Sequence, residues 1–212
     1  MENRDGPNLI YEGDWTVHAT GPLLEDATVR YVISAKESAF VAQAFATGLL
    51  GSFGHNPKIA IRDFQGELSF TLTAATLENA SLSLTIRTDS LEVMDDISEK
   101  DRQELHRKMR EEVLEADRFP EIVYDCSRIS ASGSGDRFWV ALNGELTLHG
   151  VTRPVPVSAR AVINGNSMRA SGEFSVKQSE YEIRPVSAAA GTIRLKDEVK
   201  CTFDIVARKQ ES

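Results

Sequence analysis

Phe64-Gln65-Gly66-Glu67-Leu68-Ser69-Phe70-Thr71-Leu72 decides the fold class. Positions 64, 66, 68, 70 and 72 carry Phe, Gly or Leu, and Gln, Glu, Ser and Thr fill the positions between them. That is the period of a strand with one dry and one wet face. A helix needs its apolar residues three and four apart, and strict alternation cannot supply one apolar helical face.

The same period recurs on both sides of this stretch. Ala80, Leu82, Leu84 and Ile86 alternate with Ser81, Ser83 and Thr85, and Phe138, Val140, Leu142, Leu146 and Leu148 stand against Asn143, Glu145 and Thr147. Further β-branched or aromatic runs lie at 29–33, 39–47, 58–63, 122–129, 154–163, 168–176 and 198–207. Gly133-Ser134-Gly135-Asp136 and Asn164-Gly165-Asn166 read as tight connections. Asn-Gly in the second predicts a type I′ hairpin. Gly48 to Gly54 predicts an apolar corner with a short helical turn. The count of about eight to ten strands predicts an all-β antiparallel fold, and closure into a barrel would remove the exposed edges that a sandwich keeps.

One helix is expected, over 99–116. Leu105, Met109 and Val113 recur every fourth residue, Ser98 is a candidate N-cap with Asp101 three residues on, and Phe119-Pro120 marks the stop. Residues 1–27 show neither period and predict an irregular N-terminal arm, with Trp15 docked somewhere on the protein. Residues 28–212 then form one β domain.

Of the 212 residues, 41% are hydrophobic and 26% charged, enough for a sizeable core, and the formal charge is -8. That charge argues against general nucleic-acid binding, which rests on neutralising phosphates with Lys and Arg. No transmembrane run is present, and the polar start Met1 to Gly6 predicts a cytoplasmic chain, or a periplasmic one if a leader has been removed. Cys126 and Cys201, in separate strand-like runs, predict buried free thiols.

Little in the sequence points to catalysis. The four histidines, His18, His55, His106 and His149, have no neighbours at metal-ligand spacing. His106 is expected on a solvated helix face. His149 should bond backbone at a turn, and His55, beside the apolar corner, could donate to a ligand head group. Gly48, Gly51 and Gly54 match no phosphate or dinucleotide motif, and Asp95-Asp96 and Glu111-Glu112 read as solvated acids. No metal and no cofactor is implied. What remains is the apolar alternation with an aromatic series: Phe40, Phe45, Phe53, Phe64, Phe70, Phe138, Trp139 and Phe174.

Several ordered segments resemble the YceI-like family. These are Phe64 to Leu68, Ser81 to Leu91, Ala116-Asp117-Arg118-Phe119-Pro120-Glu121-Ile122, Lys196-Asp197-Glu198-Val199 and, most specifically, Asn143-Gly144-Glu145-Leu146-Thr147-Leu148-His149-Gly150-Val151-Thr152-Arg153-Pro154-Val155. The likeness runs over roughly 28–208. Tyr31-Val32-Ile33-Ser34 with Glu37-Ser38, and Tyr181 to Thr192, depart from the family's usual reading. The resemblance implies an elongated lipocalin-like β-barrel of about eight strands that binds a polyisoprenoid or other long-chain lipid in its interior. On that reading Phe45, Phe53, Ile61, Phe64, Leu68, Phe70, Leu84, Leu142 and Phe174 line the ligand, with His55 and Arg184 near the mouth. No nucleic-acid partner is implied, and a homodimer stays open. Two rival readings are a filled barrel acting as a protein-interaction module, and a hydrolase-type enzyme using His55, His149 and carboxylates.

Overall fold

The computed structural model describes residues 27–47, 56–72, 77–184, 187–188 and 193–210. The strands are β1 (Ala27–Ile33), β2 (Ala39–Thr47), β3 (Lys58–Ile61), β4 (Phe64–Leu72), β5 (Leu77–Arg87), β6 (Leu91–Val93), β7 (Glu121–Cys126), β8 (Ile129–Ser134), β9 (Arg137–Leu148), β10 (Val151–Asn164), β11 (Ser167–Lys177), β12 (Ser187–Ala188) and β13 (Ile193–Lys209). One α-helix, α1 (Glu99–Lys108), lies between β6 and β7. The expected arm and the Gly48 to Gly54 corner lie outside the described residues, Ala27 excepted.

Every pairing is antiparallel. The ladder runs β1-β4-β5-β7-β9-β10-β11-β13 and returns to β1 through Tyr31↔Lys209 and Ile33↔Ala207. This closes a barrel of eight strands. The remaining length of β13 pairs with β2, β2 with β3, and β3 with β6. Three neighbouring staves are therefore each broken once: β1 into β2, β3 into β4, and β5 into β6. Breaks take backbone groups off the ladder, and those groups need other partners. Small hydroxyl side chains supply them. Ser38 Oγ donates to Ser34 O (2.7 Å) and accepts from Val206 N (2.9 Å). Ser90 Oγ donates to Arg87 O (2.7 Å) and accepts from Asp63 N (3.1 Å), tying two breaks together. Thr88, buried, donates to Phe119 O at 2.8 Å.

A fourth break, at Ser127-Arg128, separates β7 from β8 and corrects the single strand expected over 122–129. Gly133 and Ser134 belong to β8, leaving Gly135-Asp136 as the turn. In the β10–β11 hairpin the loop is Gly165-Asn166, and only Gly165 has positive φ (56°). Glycine at the first loop position suits type II′ better than the expected I′. Both loop residues have positive φ in His149-Gly150, 52° and 76°, the feature of a I′ turn.

Helix α1 is shorter than expected. Ser98 caps it as its sequence suggests, with Oγ accepting from Asp101 N at 3.1 Å. After Lys108 the chain widens into a π turn over Met109–Val113, with Leu114 N donating to Met109 O at 2.9 Å. The extra residue rotates the apolar face. Leu114 is consequently buried, Met109 and Val113 are half-buried, and Leu105, expected on the inner face, is 42% exposed. His106 is not on a solvated face. Its Nε2 accepts from Val93 N (2.9 Å), while Arg102 donates to Val93 O (2.5 Å) and Asp95 O (2.9 Å). Two side chains of α1 thus satisfy the edge of β6, which would otherwise be left open. The ion pairs of Arg107 with Glu104, Glu111 and Glu112 are exposed and contribute little.

Three apolar clusters lie inside the described barrel. Tyr31, Phe70, Ala80 and Ala207 form the first. Phe40, Ile61, Phe64, Ile86 and Cys201 form the second. The third joins Leu114, Tyr124, Cys126, Leu146, Val155, Val157, Tyr181 and Ile183. Both cysteines are free and buried as the sequence predicts, and burial pushes the Cys201 thiol up to about 12.

Candidate functional site: the apolar barrel interior

Strand alternation sets which side chains face inward, but inward position does not mean full burial here. On β10, Val155, Val157, Ala159 and Ala161 are sealed. On the neighbouring strand β11, Met168, Ala170, Gly172, Phe174 and Val176 share that inward face, and all are only half-buried. Leu68 on β4, Leu82 and Leu84 on β5, Phe138, Val140 and Leu142 on β9, and Phe203 on β13 repeat the pattern. A side chain pointing into a closed barrel keeps accessible surface only where the space in front of it is unfilled. These staves therefore form an apolar inward wall that is less tightly sealed than that of β10.

Two glycines narrow the wall from one side. Gly66 pairs with Leu84, and a Cβ there would sit 2.7 Å from Ser83 O and 2.8 Å from Ile33 Cδ1. Gly144 faces the ring of Tyr124, whose hydroxyl accepts from Gly144 N (3.2 Å) and donates to Val155 O (3.0 Å). That hydroxyl joins β7, β9 and β10, and burial pushes its pKa up to about 12.

One end of the interior is shaped by a 3-10 turn over Gln178–Tyr181. Gln178 Nε2 donates to Lys196 O (3.0 Å), and Asp197 accepts from Ser179 N (2.7 Å) and Ser179 Oγ (2.5 Å). The Ser179 bonds hold the Asp197 carboxyl below its ordinary range. His149 Nδ1 lies 3.2 Å from Tyr181 O and Nε2 3.2 Å from Glu115 Oε1, with the ring against Phe119. His149 therefore meets backbone of the distant Gln178–Tyr181 turn rather than of its own connection, where the sequence placed its partner. Both partners are acceptors, so a neutral ring can donate to only one of them at a time.

The expected lining residues distribute unevenly. Ile61, Phe64 and Phe70 face inward and are buried. Leu68, Leu84, Leu142 and Phe174 face inward and are half-buried against the clusters. Phe45 does not join them: it shares a face of β2 with Val41 and Gln43, opposite Phe40 and Ala44, and its ring lies 5.9 Å from Lys196 Nζ. The expectation took the wrong strand parity there. Arg184 is exposed, while Phe53 and His55 lie outside the described residues. Trp139 leaves the aromatic core series altogether: it is 59% exposed, with the Arg160 guanidinium 4.6 Å from its ring. Leu82, Val140, Val176 and Phe203 were missed as lining, although the same alternation marks each of them.

A cleft lies on the outside of the barrel wall. It measures about 860 Å³ and is bordered by Gln65, Glu67, Ser83, Asp125, Arg128 and Glu145, with Leu82 and Cys126 in its floor. It opens where β5 and β8 part. β5 pairs with β7 only from Leu82 onward, and β8 pairs with β9 alone. Asn79, at φ 51°, sits in the bulge of β5 where its register with β4 shifts between Ser69 and Thr71. The cleft's carboxylates and hydroxyls suit an apolar ligand poorly, so the half-buried interior is the stronger candidate.

An eight-stranded antiparallel barrel with an apolar interior defines the lipocalin-like class. Within it, the chain belongs to the YceI-like family: the model of the YceI-like domain matches residues 31–207. Among curated relatives, a UPF0312 protein of Enterobacter sp. (strain 638) is 29% identical over 150 residues, covering 71% of this chain and 66% of the relative. One from Shewanella baltica (strain OS185) is 30% identical over 103 residues, covering 49% of this chain and 48% of the relative. The chain thus spans about half to two thirds of the length of these relatives. Two solved structures share the fold. BcnA of Burkholderia cenocepacia superposes with TM-score 0.61 at 18% identity, over 82% of this chain and 98% of that one. A polyisoprenoid binding domain from Saccharophagus degradans gives 0.60 at 12% identity, over 85% and 98%. Among the described residues, no helix is long and apolar enough to cross a membrane.

Proposed function

We propose that this chain binds a long apolar ligand, an isoprenoid or a similar lipid, inside the barrel, and carries or stores it without catalysing a reaction. The observation behind this reading is the band of half-buried inward side chains on β4, β5, β9, β11 and β13. Apolar surface left partly open inside a fold is stabilised by an apolar guest that fills it. The description of the Saccharophagus degradans domain as polyisoprenoid binding supports the choice of ligand class.

Leu84 tests the reading, because it packs against both the second and the third cluster and stands midway along the open band. Leu84→Trp fills space that a ligand would occupy, at an overpacking cost of about 1–3 kcal/mol. The expected result is a folded barrel by circular dichroism that no longer takes up a fluorescent apolar probe. Uptake equal to that of the wild type would place the ligand elsewhere and favour a filled barrel acting on a protein partner.

A further inference from the structure

Tyr181 is 1% exposed, the most enclosed large side chain among the described residues. Its hydroxyl is also the one buried side-chain nitrogen or oxygen among them with no hydrogen-bond partner. Tyr124, in the same cluster, shows what a structural tyrosine does there, since its hydroxyl both donates and accepts. A core that needed only the ring of residue 181 would be served better by phenylalanine, because an unmade buried hydrogen bond destabilises the fold. The ring cannot easily shift to find a partner. Its backbone carbonyl lies against His149, and its turn is held to β13 through Gln178 and Ser179.

The surroundings limit what could satisfy the hydroxyl. Leu114, Cys126, Leu146, Val155, Val157 and Ile183 share its cluster, and half-buried Leu84, Leu142 and Phe174 pack against that cluster from the open band. None of these carries a charge, and because the hydroxyl has no accessible surface, a ligand end reaches it only by displacing one of the half-buried three. We propose that the Tyr181 hydroxyl is the polar anchor of the ligand chamber, donating to a neutral oxygen at the end of an otherwise apolar chain, such as an alcohol, ketone or ester. A phosphate end would bring charge into this apolar cluster at a far higher desolvation cost, since Arg153 stays outside it, exposed and donating to Glu180 O at 3.3 Å. Burial, with Glu180 nearby, raises the Tyr181 pKa, which keeps the group a donor. The anchor rests on the proposed interior binding and adds the chemistry of the ligand's head.

The test compares three probes of equal chain length, a polyprenol, the matching polyprene hydrocarbon and the polyprenyl phosphate, on the wild type, Y181F and Y124F. The wild type should bind the alcohol about tenfold more tightly than the hydrocarbon, and more tightly than the phosphate. In Y181F the alcohol should fall to the affinity of the hydrocarbon, while the ligand-free melting temperature rises. Y124F should melt lower yet keep the preference for the alcohol. Equal binding of alcohol and hydrocarbon by the wild type, a preference retained in Y181F, or tightest binding of the phosphate would each overturn the anchor and leave interior binding standing. Failure of all three probes to bind would overturn interior binding itself, and the anchor with it. Should Y181F not fold, wild-type binding of the alcohol no tighter than of the hydrocarbon still overturns the anchor.

Discussion

Gly144→Ala is expected to destabilise the barrel by about 3–5 kcal/mol, a large effect for one added methyl. An added Cβ would stand 2.5 Å from Tyr124 Cζ, 2.6 Å from its hydroxyl oxygen and 2.7 Å from the Asp125 carbonyl oxygen. The last of these is backbone in the neighbouring strand, so the methyl has no free direction. Tyr124 would have to leave, and its hydroxyl would release both Gly144 N and Val155 O in a buried place. Two orphaned backbone groups cost about 1–3 kcal/mol each, and the overpacking adds to that. Gly165→Ala is the comparison: its Cβ would meet nothing within 4 Å, and only its positive φ of 56° opposes the change. That strain is about 1–2 kcal/mol. Urea unfolding of the two variants measures the difference directly, and a Gly144→Ala loss under about 1 kcal/mol would contradict the role given to Tyr124.

Ligand affinity is expected to climb steeply with chain length. A wall made of Leu, Val and Phe holds a guest by area, since it offers few directional bonds. At about 0.3 kcal/mol per heavy atom, each five-carbon isoprene unit contributes roughly 1.5 kcal/mol, or about tenfold in Kd. Micromolar binding needs about 8 kcal/mol, so prenols shorter than roughly five or six units should bind barely at all. Affinity should stop rising once the chain outgrows the interior. Displacement of an apolar fluorophore by a series of prenols checks this. A flat series would mean that the barrel recognises a small head group and leaves the chain in solvent.

Strand identity was legible because a half-buried strand writes its two faces into the sequence every second residue, as 64–72 and 80–86 do. The breaks were not. Ser38, Thr88, Ser90 and the Ser127-Arg128 step fall within or beside strand-like runs, and only the pairing of neighbouring staves shows which backbone groups need their hydroxyls. The π turn escaped for a related reason. Leu105, Met109 and Val113 fit an ideal helix, and one extra residue transfers the burial to Leu114. His106 resembled a surface residue because its partner, Val93 N, belongs to another element. In the candidate site, Ile61, Phe64, Leu68, Phe70, Leu84, Leu142 and Phe174 could be assigned to the inward face from alternation, whereas Phe45 lost its place through a parity error of one. Tyr181 carried no signal at all. A missing hydrogen bond is a property of the packed neighbourhood and leaves no mark on the residue's own sequence.

The most direct test of interior lipid binding is native mass spectrometry of the purified protein, followed by organic extraction of whatever it carries. The expected spectrum shows the chain with one stoichiometric adduct of isoprenoid or acyl mass, released by solvent and regained on adding a long prenol. A chain that flies bare, and stays bare after incubation with long-chain isoprenoids, would contradict the lipid-binding reading and turn attention to the barrel's outer surface.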